Sequence, residues 1–238
     1  MTITPDSIVE EVVKYNFKTA PLFQANNIDY CCNGSKAISD ACLEAGIDAN
    51  QLIQQIEKVI TQNDPDTAAL NNYGLGELCT YIIKRHHAYV NKSIPILKKN
   101  LEKVCQVHGE QHSELFEIKK LFNDCAGELT KHMMKEEIML FPFIERLETS
   151  KMANSPLPKS PFGSVSNPIR MMVADHQNEG ERLKEIALLS DNYQPPDDAC
   201  TTYEVTFKLL RDFEDDFQRH IHLENNILFP KANDLENR

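Results

Sequence analysis

The chain has 238 residues, 41% hydrophobic and 26% charged, a globular mixture sufficient for one large domain or a bundle plus a small module. A formal net charge of −11 argues against a nucleic-acid or anionic-membrane surface, since both need clustered Lys and Arg. The longest uninterrupted apolar run, Ile138 to Ile144, is too short to span a bilayer, and eight Gly, no Trp and many Glu, Lys, Leu and Asn favour an all-α fold. The first residues, Met1 to Asp6, lack the basic-then-apolar order of a secretory signal. Seven cysteines, an odd number without framework spacing, fit reduced thiols and a cytoplasmic location better than disulfides.

In chain order, Thr4-Pro5-Asp6 predicts a helix start, with Pro5 at the first helical position and Ile8, Val9, Val12 and Val13 following. A second short helix is expected from Thr19 to Ala25, ended by Asn26-Asn27. Ile28 to Gly34, which contains Cys31 and Cys32, reads as a turn with Asn-Gly as its strongest signal. Ser35 is the expected cap of a helix that stops near Gly46, and another helix runs through Leu52, Ile53, Ile56, Val59 and Ile60. Residues 1–61 thus form a small helical domain that needs a neighbour to cover its core. The polar, broken stretch 62–74 is expected to be a linker. Residues 75–238 then hold four long amphipathic segments, about 75–104, 111–148, 168–189 and 198–236, in an up-down-up-down four-helix bundle.

An internal repeat marks a site. His132 to Pro142 and His220 to Pro230 both read H-x3-E-x3-LFP and lie 88 residues apart. His87 and His176, on the first and third bundle segments, lie 89 apart. The bundle therefore reads as two helical hairpins, each offering one His from its first helix and His plus Glu from its second. Residues i and i+4 share a helix face, so His132/Glu136 and His220/Glu224 each aim two donors in one direction. With His87 and His176 the set is four imidazoles and two carboxylates able to bridge, suited to two iron ions with an oxo or hydroxo group between them. No cysteine belongs to the set, which argues against structural zinc. Met133, Met134 and Met139 are expected as core filler, and the LFP tails as packing with a proline kink. His86, His108, His112 and His222 have no counterpart in the other hairpin and are expected to face solvent or bond locally.

Asp29-Tyr30-Cys31-Cys32, HMMKEE at 132–137, HIHLENN at 220–226 and the stretch from Pro195-Pro196 to Thr202 together resemble the di-iron iron–sulfur cluster repair proteins, over nearly the whole chain. The resemblance implies a small domain bearing vicinal cysteines followed by a hemerythrin-like bundle. It implies metal ligands at His87, His132, Glu136, His176, His220 and Glu224, and it sets Glu128 and Asp175 near that site. It also implies repair of clusters damaged by oxidative or nitrosative stress, with damaged iron–sulfur proteins and small diatomic molecules (nitric oxide, dioxygen) as partners. Iron donation, nitric oxide reduction as an oxidoreductase, and sensing all remain open. The alternative is a hemerythrin that binds or senses dioxygen or nitric oxide. Oxygen carriers of that type use five histidines and an H-x4-D motif, whereas both repeats here read H-x3-E. A ferritin-like oxidase would carry Glu-x-x-His pairs, the reverse order. Cys31 and Cys32 are candidate reactive thiols, with the helix start at Ser35 expected to lower a thiol pKa. One of them joining two chains into a homodimer is the other use.

Overall fold

The structure, a computed structural model, describes residues 1–61 and 65–237. Gln62, Asn63 and Asp64 of the expected linker, and Arg238, lie outside the described residues. The amino-terminal module holds α1 (Val9–Tyr15), a 3-10 turn (Phe17–Thr19), α2 (Ala20–Gln24), α3 (Ile38–Ala45) and α4 (Ala49–Ile60). Two expected helix starts move. Thr4 to Ser7 form a turn closed by the Ser7 N–H on the Thr4 carbonyl at 3.0 Å, so α1 begins only after an extended Ile8. Ser35 does not cap α3, which begins after an extended Ala37. Both delays have one cause: Ile8 and Ala37 pair in an antiparallel bridge that holds each residue extended. Asp48 caps α4 by accepting from the backbone N–H groups of Asn50 and Gln51, and Gly46 ends α3 at φ 70°, where a side chain would be strained.

The expected linker is partly structured, since α5 (Pro65–Asn72) lies within it. Thr67 Oγ1 accepts from the Phe17 N–H at 3.0 Å, and Asn71 donates to the Lys14 carbonyl at 2.9 Å. The connection is therefore held against the module it leaves.

Four long helical stretches follow. The first joins α6 (Leu75–Ile82), a π turn (Ile83–His87) and α7 (Ala88–His108). The second joins α8 (Glu114–Lys135), a π turn (Glu136–Leu140) and α9 (Phe141–Met152). The third is α10 (Ser166–Leu189). The fourth joins α11 (Thr201–Leu223), a π turn (Glu224–Leu228) and α12 (Phe229–Asn237). α8 packs on α7 and α10, and α11 packs on both as well, closing a four-membered ring. No helix among the described residues is long and apolar enough to cross a membrane.

Two apolar clusters fill the molecule. One joins the amino-terminal module, through Phe23, Tyr30 and Ile56, to Leu101, Phe122 and Phe213 of the bundle. This shared core is how the small module covers its apolar face. The other, at the opposite end, contains Leu78, Phe143, Ile169, Leu228 and Phe229. Every bundle stretch passes from one cluster to the other, and a polar layer lies between them. Met133 is buried, but Met134 and Met139 are 56% and 51% exposed, contrary to the expectation of core filler. Neighbours on one helix cannot all face the core, and the π turn after Glu136 turns Glu137, Ile138 and Met139 outward together.

The repeat reaches further than its motif. Glu148, in α9, accepts from the backbone N–H groups of Leu75 and Gly76 at 2.7 and 2.9 Å, capping the first bundle stretch. Glu236, in α12 and 88 residues on, accepts from the Val165 N–H at 2.9 Å and the Ser164 hydroxyl at 2.6 Å, capping the third. Each hairpin thus ties the end of its second helix to the start of its first. Glu148→Ala and Glu236→Ala should each lower stability by about 1–2 kcal/mol, the usual value of a lost cap. Urea denaturation of the single and double variants checks this, with near-additive losses expected because the two caps share no partner.

Candidate metal centre

His87, His132, Glu136, His176, His220 and Glu224 meet in the polar layer, all buried, with both glutamates at 0% exposure. They form two sets of donors that share both carboxylates: His87 with His220, and His132 with His176. Glu136 sends Oε2 to within 3.4 Å of His87 Nε2 and Oε1 to within 3.3 Å of His132 Nε2. Glu224 sends Oε1 to 2.9 Å from His220 Nε2 and Oε2 to 3.0 Å from His176 Nε2. Each carboxylate therefore points one oxygen into each set, the arrangement of a bridge. Each set draws one histidine from each hairpin, a pairing that the repeat alone does not specify.

The polypeptide reaches this arrangement through its π turns. Phe141 N–H bonds back five residues to the Glu136 carbonyl, and Phe229 N–H to that of Glu224. The third π turn ends on His87. Widened turns of this kind are common at functional sites. Pro142 and Pro230, which lack an N–H for the ordinary ladder, stand two residues after the two glutamate turns.

Glu136 Oε1 and Oε2, Glu224 Oε2 and His87 Nε2 are buried without a hydrogen-bond partner, while His132 Nε2 and His176 Nε2 face each other at 3.0 Å. Buried carboxylate oxygens left so would cost several kcal/mol. A cation at the centre of each set would satisfy all of them, so the donors present fit two metal ions. Burial favours the neutral form of both glutamates, as does Glu224 for Glu136, but the imidazoles outweigh this and hold both below the ordinary carboxylate range. Burial likewise opposes charge on His87 and His132. Glu136 prevails there, raising His87 and, with Asp175, pushing His132 up to about 10. At His220 burial prevails and the pKa falls.

Outer partners hold three of the four rings, those of His87, His176 and His132. His87 Nδ1 donates to Glu137 Oε1 at 2.8 Å and His176 Nδ1 to Asn225 Oδ1 at 2.9 Å, leaving each Nε2 for the centre. Glu137 and Asn225 each follow a shared glutamate, at a position of the repeat where the two copies differ, so identity between the copies does not mark them. Asp175 Oδ2 lies 3.4 Å from His132 Nδ1 and also accepts from Lys135. Glu128 is exposed and paired with Lys131. Both line a cleft of about 440 Å³ that reaches His132, with Glu179, Glu181, Glu185 and Arg182 on its walls. His86, next in sequence to His87, stays outside the two sets. It is buried, bonded to Asp216 at 3.1 Å and stacked against His220 at 5.7 Å. His222 is also buried, with its Nδ1 2.9 Å from the Asn226 amide, and so does not face solvent.

Cys31 and Cys32 contribute to neither set. They lie in the loop that docks on Asn225 and Asn226, where Asp29 Oδ1 accepts from both backbone N–H groups at 3.0 Å and from Cys31 Sγ at 3.2 Å. The expected lowering of a thiol pKa does not occur at Cys31. A hydrogen bond with Cys32, burial and the Asp29 carboxylate all push it well above the ordinary range, and α3 starts too late to oppose them.

Stripping metal from the wild type with a chelator should lower the melting temperature by about 5–10 °C. This follows from ~2.7 kcal/mol of linkage at a hundredfold excess over Kd and 2–4 °C per kcal/mol. The Glu136→Gln/Glu224→Gln variant should melt at one temperature with and without chelator in calorimetry. A wild type indifferent to chelator would count against a metal centre.

Comparison with known proteins agrees with this architecture. Residues 80–232 match the family described as hemerythrin HHE cation binding domain, and residues 5–60 match one described as a domain of unknown function. The chain is 32% identical over 228 residues to the iron-sulfur cluster repair protein YtfE of Enterobacter sp. (strain 638), covering 95% of this chain and 96% of that protein. It is 29% identical over 229 residues to the iron-sulfur cluster repair protein ScdA of Staphylococcus haemolyticus (strain JCSC1435), covering 96% and 99%. It is 33% identical over 217 residues to YtfE of Dickeya chrysanthemi (strain Ech1591), covering 90% and 91%. The likeness therefore takes in the cysteine-bearing module together with the bundle.

Proposed function

The chain belongs to the iron–sulfur cluster repair family, and we propose that it holds two iron ions and uses them to restore clusters damaged by oxidative or nitrosative stress. The ions would lie between His87, Glu136, His220 and Glu224 on one side and His132, Glu136, His176 and Glu224 on the other. The observation that carries this reading is the pair of fully buried carboxylates, each divided between two imidazole pairs. Imidazole and carboxylate without thiolate suit iron better than a structural zinc. Iron in such a set supplies a redox-active cation with open coordination positions, able to take a small molecule or to be given up.

The residues around the set have definable tasks. Glu137 and Asn225 hold the Nδ1 protons of His87 and His176, so both rings present Nε2 inward. The two apolar clusters exclude water from above and below the layer. The acidic cleft on His132 attracts cations and gives small molecules a way in. Damaged iron–sulfur proteins are the partners this reading requires, and the half-buried Cys32 beside the buried Cys31 offers thiols for the exchange.

Protein purified from an iron-replete host should contain about two iron per chain, one for each donor set. Iron-loaded protein should reactivate a cluster-containing dehydratase inactivated by nitric oxide or peroxide, and the Glu136→Ala/Glu224→Ala variant should not. One zinc and no iron per chain, or full repair by the metal-free variant, would end the proposal. A stable dioxygen adduct without repair would favour a carrier instead. Cys31→Ser with Cys32→Ser should leave helix and iron content near wild type while reducing repair. Loss of iron in that variant would place the thiols in the metal site, and full activity would leave them a packing role only.

A further inference from the structure

The two hairpins use the residue after the shared glutamate in the same way. In each, it sits on the second helix and accepts from Nδ1 of the first-helix histidine. In one hairpin that residue is Glu137, 39% exposed; in the other it is Asn225, under the docked loop of the amino-terminal module. A carboxylate and an amide are equivalent toward the histidine and different on their far side. A carboxylate has no donor, whereas an amide has an NH2 group. With a cation on the Glu224 side of His176, where Nε2 points, the ring proton sits on Nδ1 and meets the oxygen of Asn225, which turns the NH2 group outward. There it donates to the carbonyl of Cys31 at 3.5 Å.

The loop it meets is also held by Ile28, Tyr30 and Cys31, which are buried in the core shared with the bundle, and by polar ties. Asn226 donates to the Tyr30 carbonyl at 3.4 Å, and Lys184 pairs with Asp29 at 2.8 Å. The Tyr30 ring packs edge-on against His222 with centroids 5.9 Å apart. Of these contacts, the Asn225 amide alone touches a donor of the proposed centre directly.

We propose that Asn225 is a positioning residue that couples the two halves of the protein, so that filling the metal centre and docking of the Cys31–Cys32 loop favour each other. The coupling rests on the metal reading above. A cation held by this donor set would order the His176 ring; an ordered ring fixes the Asn225 amide, and a fixed amide holds the Cys31 carbonyl. Linkage requires the reverse effect to be equal in size.

The test is the rate at which N-ethylmaleimide modifies Cys31 and Cys32, read by peptide mass spectrometry on anaerobic full-length protein before and after loading with ferrous iron. Iron content is measured on the same samples. In the wild type, loading should slow modification about two- to fivefold, the range for one modest hydrogen bond. Asn225→Asp keeps an acceptor for His176, as Glu137 does for His87, but offers no donor to the loop. It should retain two iron per chain, react faster than wild type and show no dependence on iron. Asn225→Ala should show the same fast reaction and weaker iron binding as well. A wild type that binds iron with unchanged thiol reactivity overturns the coupling and leaves the metal centre standing. Undiminished protection in Asn225→Asp also overturns it, because iron would then be reaching the thiols directly. A wild type that binds no iron overturns both readings. The wild-type comparison needs no variant, so a folding defect in either substitution leaves the test intact.

Discussion

Two ionised carboxylates with no exposed surface, in the middle of an apolar bundle, are the constraint to which the rest of this structure answers. Burying one such charge costs several kcal/mol after relaxation, and Glu136 and Glu224 also repel each other. Marginal stability leaves no room for this unless the same layer supplies positive charge. The imidazoles of His87 and His132 provide part of it, and two cations would provide the remainder while occupying the partnerless oxygens. The position of the layer follows from the same cost. Apolar clusters on both sides keep water out, which strengthens the attraction of each carboxylate for whatever lies between them.

The backbone carries the mark of this demand. Three of the four long stretches widen into a π turn at the layer, and each turn begins or ends on one of the six donors. An extra residue per turn shifts the face a helix presents, allowing a donor to point inward between two apolar runs. The fourth stretch, α10, supplies only His176 and stays regular. The two stretches that bring both a histidine and a shared glutamate each combine a π turn with a proline two residues later on.

Much of this was legible in the sequence because the repeat is local and polar. H-x3-E on an amphipathic helix states its geometry directly, and its duplication with His87 and His176 at matching distances indicates one shared pocket. The tertiary ties were harder to read. The bridge between Ile8 and Ala37 depends on pairing across a loop, so nothing near Thr4 or Ser35 reveals that their helices start late. The helix at 65–72 lies in a polar stretch with no apolar stripe to announce it, and it is held by Thr67 and Asn71. Met134 and Met139 are exposed where composition suggests a core, Met134 because its neighbours His132 and Met133 take the inward face of α8 and Met139 because the π turn points it outward. Glu148 and Glu236 were missed because a cap supplied by a distant helix leaves no mark next to the helix it caps.

Where the two hairpins differ is as informative as where they agree. Glu136 and Glu224 match, as do the LFP turns and the capping glutamates, so these positions answer to the centre and to the hairpin itself. The residues just after the glutamates diverge: Glu137-Ile138-Met139 are exposed, whereas Asn225-Asn226 lie under the amino-terminal module and Ile227 is buried. A carboxylate suffices where the outer side of the turn meets water. Beneath a second module, an unpaired carboxylate would face the backbone carbonyls of Tyr30 and Cys31, and two amides supply the donors those carbonyls need. The asymmetry of an otherwise duplicated site is thus set by the docked module. One donor set opens toward the acidic cleft through His132, while His176 of that same set is backed by the cysteine loop. A site built from equivalent halves therefore has one donor set adjacent to both the cleft and the cysteine loop, while His87 of the other set is backed by the exposed Glu137.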